Sequence, residues 1–451
     1  MAGIALRSLR HRLTACTASF LAMFFGAIIL MAFGSLFDTS GADGVDAASR
    51  STLDTMAAVV GGWGLLLVTF AVTSTLTLQV RQRAEEFALL RHVGATPAQL
   101  TLMIVIEAVV LALVAVAAAV TPAAFAGRWL LAGLTGSGQV DDTVAYRFGG
   151  FAIHLGVVVT GLAATVAAGI AARRATRGST VASKVDAAVR THRLGWKRIA
   201  AAAVFLFLGA DLAVVTVVAM RGEPGFEPMA TAGPASIWCS IGLALLAPAL
   251  VRAVAARLAG PLERRAGVAG YLAALTLRQR PAQLATAAMP IILFTGVATG
   301  TLSMLGTDHK ARVAAGIART VDYRTAETTN LIVISMILLF CAIMVINTLV
   351  AATAHRRREF GQQRLLGATP AQVLWTTATE AGVLTVAGVS VGIVAGLFTA
   401  VPFAIARSTW PTNSLAGYLA VIAIAATIAL LTSLAATRRA MRLPAVAAVA
   451  G

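Results

Sequence analysis

The sequence predicts an all-α polytopic membrane protein of about ten transmembrane helices, built as two four-helix modules joined by a two-helix insert. Three observations carry this. Hydrophobic residues make up 58% of the 451 positions and charged residues 12%, with a mean hydropathy of +0.84. A soluble domain carries about a quarter charged residues. Apolar runs long enough to cross a bilayer recur along the whole chain. One segment also occurs twice, at a constant offset of 273 residues, which marks an internal duplication.

Taken in order, Arg7, Arg10 and Arg12 precede a first span at about 13–36. An acidic loop with Asp38, Asp43 and Asp46 leads to a second span at about 53–80. The third span runs from Pro97 to about 121, with apolar residues continuing to about 134, and the fourth covers about 151–172. A basic stretch with Lys184, Arg190, Arg193, Lys197 and Arg198 reads as a cytoplasmic linker or an interfacial helix. Spans five and six, about 199–220 and 233–256, have no counterpart in the repeat. Spans seven to ten lie at about 284–306, 329–353, 371–402 and 416–437. The modules are thus 1–190 and 266–451, with the insert at 191–265. Leu277–Arg280 echoes Leu9–Arg12 at offset 268, and Arg438–Arg442 echoes Arg173–Arg177 at offset 265.

The net charge is +17. In a soluble chain that would point to nucleic acid. Here most of the basic residues fall in loops on the side of both termini, and most acidic ones fall opposite. The positive-inside rule puts both termini in the cytoplasm, and no nucleic-acid partner is expected.

The repeated segment reads Arg-Ala-Glu-Glu-Phe-Ala-Leu-Leu-Arg-His-Val-Gly-Ala-Thr-Pro-Ala-Gln from Arg83 to Gln99. From Arg356 to Gln372 it reads Arg-Arg-Arg-Glu-Phe-Gly-Gln-Gln-Arg-Leu-Leu-Gly-Ala-Thr-Pro-Ala-Gln. Arg83, Phe87 and Arg91 share one helix face, as do Arg356, Phe360 and Arg364. Gly94 and Gly367 suit the left-handed residue that ends a helix. Thr96 and Thr369 then cap the next helix, with Pro97 and Pro370 first and Gln99 and Gln372 closing a capping box. Each copy is a short helix, a sharp corner, and the start of a long apolar helix.

This pattern resembles the FtsX-like ABC permease family, whose members carry such an Arg-rich, Glu-Phe, Leu-Arg, Gly-Ala segment between their second and third membrane helices. The resemblance covers nearly the whole chain. It implies a permease subunit in a bacterial plasma membrane, with no cofactor of its own. It also implies a cytoplasmic ABC ATPase, a dimer on one permease chain, that holds ATP and Mg. The coupling positions would be Arg83, Glu86, Phe87, Arg91 and Gly94, and Arg356, Glu359, Phe360, Arg364 and Gly367. Each phenylalanine would enter a pocket of the ATPase, and the arginines would meet acidic groups at its rim. Family members extrude lipoproteins, antibiotics or peptides, or activate cell-wall enzymes. Many carry a large extracytoplasmic domain between membrane helices. Here the loops at about 37–52 and 307–328 hold no folded domain. That favours export of a small, apolar or membrane-resident substrate. A signalling membrane protein that moves nothing, and a secondary transporter built from repeats, are the rival classes.

The chain shows no Gly-x-x-x-x-Gly-Lys-Ser/Thr loop, no ligand cluster with metal spacing and no nucleophile motif, so it is not expected to catalyse alone. Cys16, Cys239 and Cys341 lie in apolar runs and read as buried thiols. Leu13–Cys16 is not a lipobox, because the apolar run follows the cysteine, and the run near 13–36 is too long for a signal peptide. Four polar residues fall within spans. Glu107 and Glu380 are equivalent positions, serving either coupling along a polar path or a structural bond between helices. Asp211 in span five reads as a proton or substrate site, or as a packing hydrogen bond. Asn347 reads as interhelical glue. Gly388, Gly392 and Gly396, with Gly296 and Gly300, form small-residue stripes for close helix packing.

Overall fold

A computed structural model describes residues 13–136, 138–177, 195–223, 227–265, 267–279, 281–316, 321–354, 356–412, 415–442 and 444–446. Among them every regular element is helical. In chain order these are α1 (Leu13–Ser40), α2 (Ala47–Gln82), α3 (Ala84–His92), α4 (Pro97–Gly136), α5 (Gly150–Arg177), α6 (Trp196–Val218) and α7 (Glu227–Leu245). They continue as α8 (Ala247–Arg265), α9 (Gly267–Gln279), α10 (Pro281–Ala315), α11 (Val321–Ala354), α12 (Arg357–Leu365), α13 (Pro370–Ala406) and α14 (Leu415–Ala440). The chain is an all-α polytopic membrane protein. The basic stretch at 184–194 and the N-terminal arginines lie outside the described residues, as does the side chain of Cys16.

The chain divides into two compact units. One holds Met1–Arg190 with Arg319–Phe340, the other Thr191–Ala318 with Cys341–Gly451. In the first, α1, α2, α4 and α5 pack into a bundle. Ala27, Met31, Val116, Ala119, Ala123 and Ala152 form one of its buried clusters. In the second, α10 lies against α13, and the insert helix α7 packs on both. There the stripes meet. A Cβ on Gly392 would sit 2.6 Å from Thr295 Cβ and 2.9 Å from the Ile292 carbonyl, so only glycine permits this approach.

Among the described residues seven helices are long and apolar enough to cross a membrane, and the bent pair α7–α8 makes an eighth if it is one span. Spans two and eight correspond to α2 and α11, whose described apolar stretch in α11 is Leu338–Val350. Span six departs from the sequence reading. The expected 233–256 helix breaks at Leu246, where α7 and α8 meet at 73°. Pro248 is the cause: it has no N–H for the Ala244 carbonyl and disfavours helical geometry just before it. The Arg198 guanidinium instead donates to the Leu245 carbonyl at 2.6 Å, satisfying the exposed end of α7.

Helices also run further than the sequence suggests. α1 reaches Ser40 and α2 begins at Ala47, while α10 reaches Ala315 and α11 begins at Val321. No folded domain interrupts either pair. At 37 residues α13 is about 55 Å long, against about 30 Å of hydrocarbon. Beyond the exposed Trp375 near its start, its exposed large apolar side chains run from Val386 to Ile405, a band of about 29 Å. Glu380 lies between Trp375 and that band, about 9 Å from the band's near edge.

Candidate functional site

The two motif copies fold alike. α3 and α12 are nine-residue helices that end at Gly94 (φ 101°) and Gly367 (φ 95°), both left-handed. The Ala95 N–H donates to the Leu90 carbonyl at 3.0 Å, and the Ala368 N–H to the Gln363 carbonyl at 2.9 Å, closing the corner. Both capping boxes form. The Thr96 N–H donates to Gln99 Oε1 at 3.0 Å and the Gln99 N–H to Thr96 Oγ1 at 3.3 Å. The corresponding distances at Thr369 and Gln372 are 2.8 and 3.3 Å. Local chemistry alone thus sets a tight turn from short helix to long span.

Each corner closes over an ion-pair node. Arg83 donates to Glu107 through Nη1 and, at 3.4 Å, through Nη2. Its Nε faces Glu86 at 3.3 Å, and its guanidinium lies 5.1 Å from the Phe87 ring centre. Arg356 repeats every contact. It donates to Glu380 through both terminal nitrogens, the second at 3.2 Å, and to Glu359 at 3.1 Å. It lies 5.3 Å from the Phe360 ring. In the first copy Leu76, Ile104, Ala108 and Leu111 line a cleft beside the pair. Burial works against the charge on Arg83, but hydrogen bonding and attraction from Glu107 override it and raise the pKa. Arg356 is raised in the same way, against burial, by Glu380. The node is a fork of one arginine on two carboxylates, capped by an aromatic face.

This geometry corrects the expected direction of the helices. Phe87 and Phe360 are each only 2% exposed. Phe360 packs on Val373 and Ala440, beside Ala368 and Met441. Arg364 donates to the Met441 carbonyl at 3.1 Å. The Arg–Phe–Arg face is real but turned inward. Its arginines are held by this chain's own groups, so the phenylalanines are not free to enter a pocket on another protein. The exposed face is the other one: Leu89, Leu90, His92 and Val93 on α3, and Arg357, Arg358, Leu365 and Leu366 on and beside α12. Val93 and Leu366, the residues just before each glycine, are 87% and 90% exposed.

A second repeated constellation lies at the opposite helix ends. The Tyr146 hydroxyl donates to Ser35 at 3.1 Å, and Ser303 and Tyr418 are 3.0 Å apart. The Arg147 N–H donates to Thr39 at 3.1 Å and the Thr412 N–H to Thr307 at 2.9 Å. Ser35 and Ser303, and Thr39 and Thr307, keep the offset of 268. Sequence reading missed these pins. In the second unit, buried Asp308 also binds Arg312 at 2.9 Å and Arg407 at 2.7 Å.

The remaining polar residues separate. Asn347 is buried. Asp211 is exposed on α6, not turned into its unit as a packing bond would require. Cys239 and Cys341 are buried free thiols. Among the described residues no group of histidine, cysteine and carboxylate side chains could hold a metal ion.

Two matching, helix-borne nodes at the ends of long apolar spans define a duplicated membrane subunit. A family model for the FtsX-like permease C-terminal domain matches residues 58–180 and again 331–445. The two matches cover more than half of the chain, which belongs to the FtsX-like permease family. Members are generally non-catalytic membrane subunits of the ABC transporter permease type and usually partner with an ABC ATPase. No curated protein matches the chain.

Proposed function

We propose that this chain converts ATP hydrolysis by a separate ABC ATPase into motion of its long spans, and that α3 and α12 are the ATPase-docking helices. The motif end is then cytoplasmic, as the basic loops favour, and one ATPase subunit of a dimer sits on each helix. The supporting observation is the repeated node. It ties each short helix to the span beyond its corner, so a push on the exposed face is delivered to α4 or α13 without slack. The docking anchors are the outward residues Leu89, Leu90 and Val93, and Leu365 and Leu366, in place of the phenylalanines. The short connections α1–α2 and α10–α11 leave no room for an extracytoplasmic domain, which favours export of a small, apolar or membrane-resident substrate.

The test is co-purification with the cognate ATPase and stimulated hydrolysis in proteoliposomes. Val93→Asp with Leu89→Asp, and Leu365→Asp with Leu366→Asp, should each abolish binding while leaving the thermal midpoint of the chain unchanged. Phe87→Ala and Phe360→Ala should instead destabilise the fold, by about 3–5 kcal/mol for a buried aromatic. ATPase binding and coupling equal to the parent in both double variants would refute the docking assignment.

A further inference from the structure

The helix α6 has two unlike faces. Ala202, Gly209, Ala213 and Thr216 are buried and turn toward α7. There Thr216 donates to Thr231 at 2.9 Å, and a Cβ on Gly209 would meet Cys239 Sγ at 2.4 Å. The opposite face carries Val204, Phe207, Leu208, Val214 and Val218, all exposed. In the middle of that face stands Asp211, also exposed. Among the described residues it makes no hydrogen bond or ion pair. It lies about 22 Å along the helix from Trp196 and about 10 Å from Val218.

The helix α14 is the internal control. Both helices bury 22% of their most apolar window inside the chain. The exposed face of α14 carries Leu419, Ile424 and Leu431 and no charge before Arg438. That is a surface suited to lipid. A carboxylate on such a surface is costly, and its short side chain cannot reach the interface as lysine or arginine can. A cation at the same depth removes the cost. None of the seven candidate spans has a lysine or arginine in its central half; the bent pair α7–α8 carries Arg252 and Arg257, but these follow Leu245, which meets Arg198 about 20 Å along α6 from Asp211. A second copy would therefore set Asp211 against apolar groups or another Asp211.

We infer that the Asp211 face of α6 is a docking surface for a membrane-spanning helix of a different protein, one that carries a lysine or arginine at matching depth. The apolar side chains on either side of Asp211 supply the packing, and the charge pair fixes register and orientation. The inference rests on unit two alone and does not depend on the docking roles of α3 and α12.

The probe is a pair of poly-leucine transmembrane peptides, one with a single lysine placed at the depth of Asp211 and one without. Energy transfer to the full chain, donor-labelled on a terminal tag, is read in phosphatidylcholine vesicles. The lysine peptide should associate about tenfold more tightly than its all-leucine counterpart, in the range expected for a strong interhelical polar contact. Asp211→Leu should abolish the difference and Asp211→Glu should keep it. Leu208→Trp, which leaves the carboxylate but blocks the face, should also abolish it and covers the case that Asp211→Leu fails to fold. Equal binding of both peptides by the parent overturns the inference. So does transfer between donor- and acceptor-labelled copies of the chain that is lost in Asp211→Leu, since the occupant would then be a second copy.

Discussion

The first and second motif copies agree where they are buried and differ where they are exposed. Arg83, Glu86, Phe87 and Glu107 make the same contacts as Arg356, Glu359, Phe360 and Glu380. Leu89 and Leu90 in the first copy are replaced by Gln362 and Gln363 in the second. The cores differ too: the crossing made by Gly388, Gly392 and Gly396 has Ala115, Ala119 and Ala123 as its counterparts at offset 273. What roots the short helix to the span was kept through duplication. What it exposes, and the residues at the span crossing, diverged. The two halves therefore share one ion-pair joint but present two different outer surfaces.

The largest loss is expected at the joint. Glu380→Leu leaves the partly buried Arg356 without its main counter-charge, which should lower stability by about 3 kcal/mol, the lower end for breaking a buried pair. Glu107→Leu should have a smaller effect, because the Glu107 side chain is 10% exposed against 3% for Glu380. Thermal midpoints in detergent decide this, and near-parent midpoints for both variants would show that the pairs hold nothing together. Next in size is the crossing. Gly392→Ala forces Thr295 and the Ile292 carbonyl away and should cost about 1–3 kcal/mol, as overpacking does. Ala119→Gly in the first unit should cost about 1–2 kcal/mol, through helix propensity and the loss of a buried methyl. A thermal midpoint of Gly392→Ala at or above the parent's would show that the Gly392 approach tolerates a methyl. The smallest effect sharpens the likeness: Thr96→Ala and Thr369→Ala should each cost about 1 kcal/mol. Amide hydrogen exchange in the first turns of α4 and α13 should rise equally in the two variants.

Legibility in the sequence followed the range of the interaction. The corners, the glycine conformations and both capping boxes were readable, because each is set within six residues. The inward turn of Phe87 and Phe360 was not. A period of 3.6 tells which residues share a face, not where the face points. The Arg–Glu pairs span 24 residues across a corner. Their one sequence signal was that the spacing is the same in both copies. Ser35 and Tyr146, 111 residues apart, gave no signal, since neither residue type is unusual there. The break at Leu246 did have a local cue in Pro248, masked by apolar residues that continue on both sides.

The glycine crossing in α13 has a mechanical consequence. Gly392 is about 33 Å from Pro370 and about 21 Å from Ala406 along a continuous helix. If the helix tilts as a rigid rod about that tight contact, the contact is a fulcrum with unequal arms. A displacement at the corner then arrives at the far end reduced by about a third, and the force there rises by about half. Such a ratio trades stroke for thrust. It suits work done by small movements against a cohesive membrane rather than the opening of a wide passage.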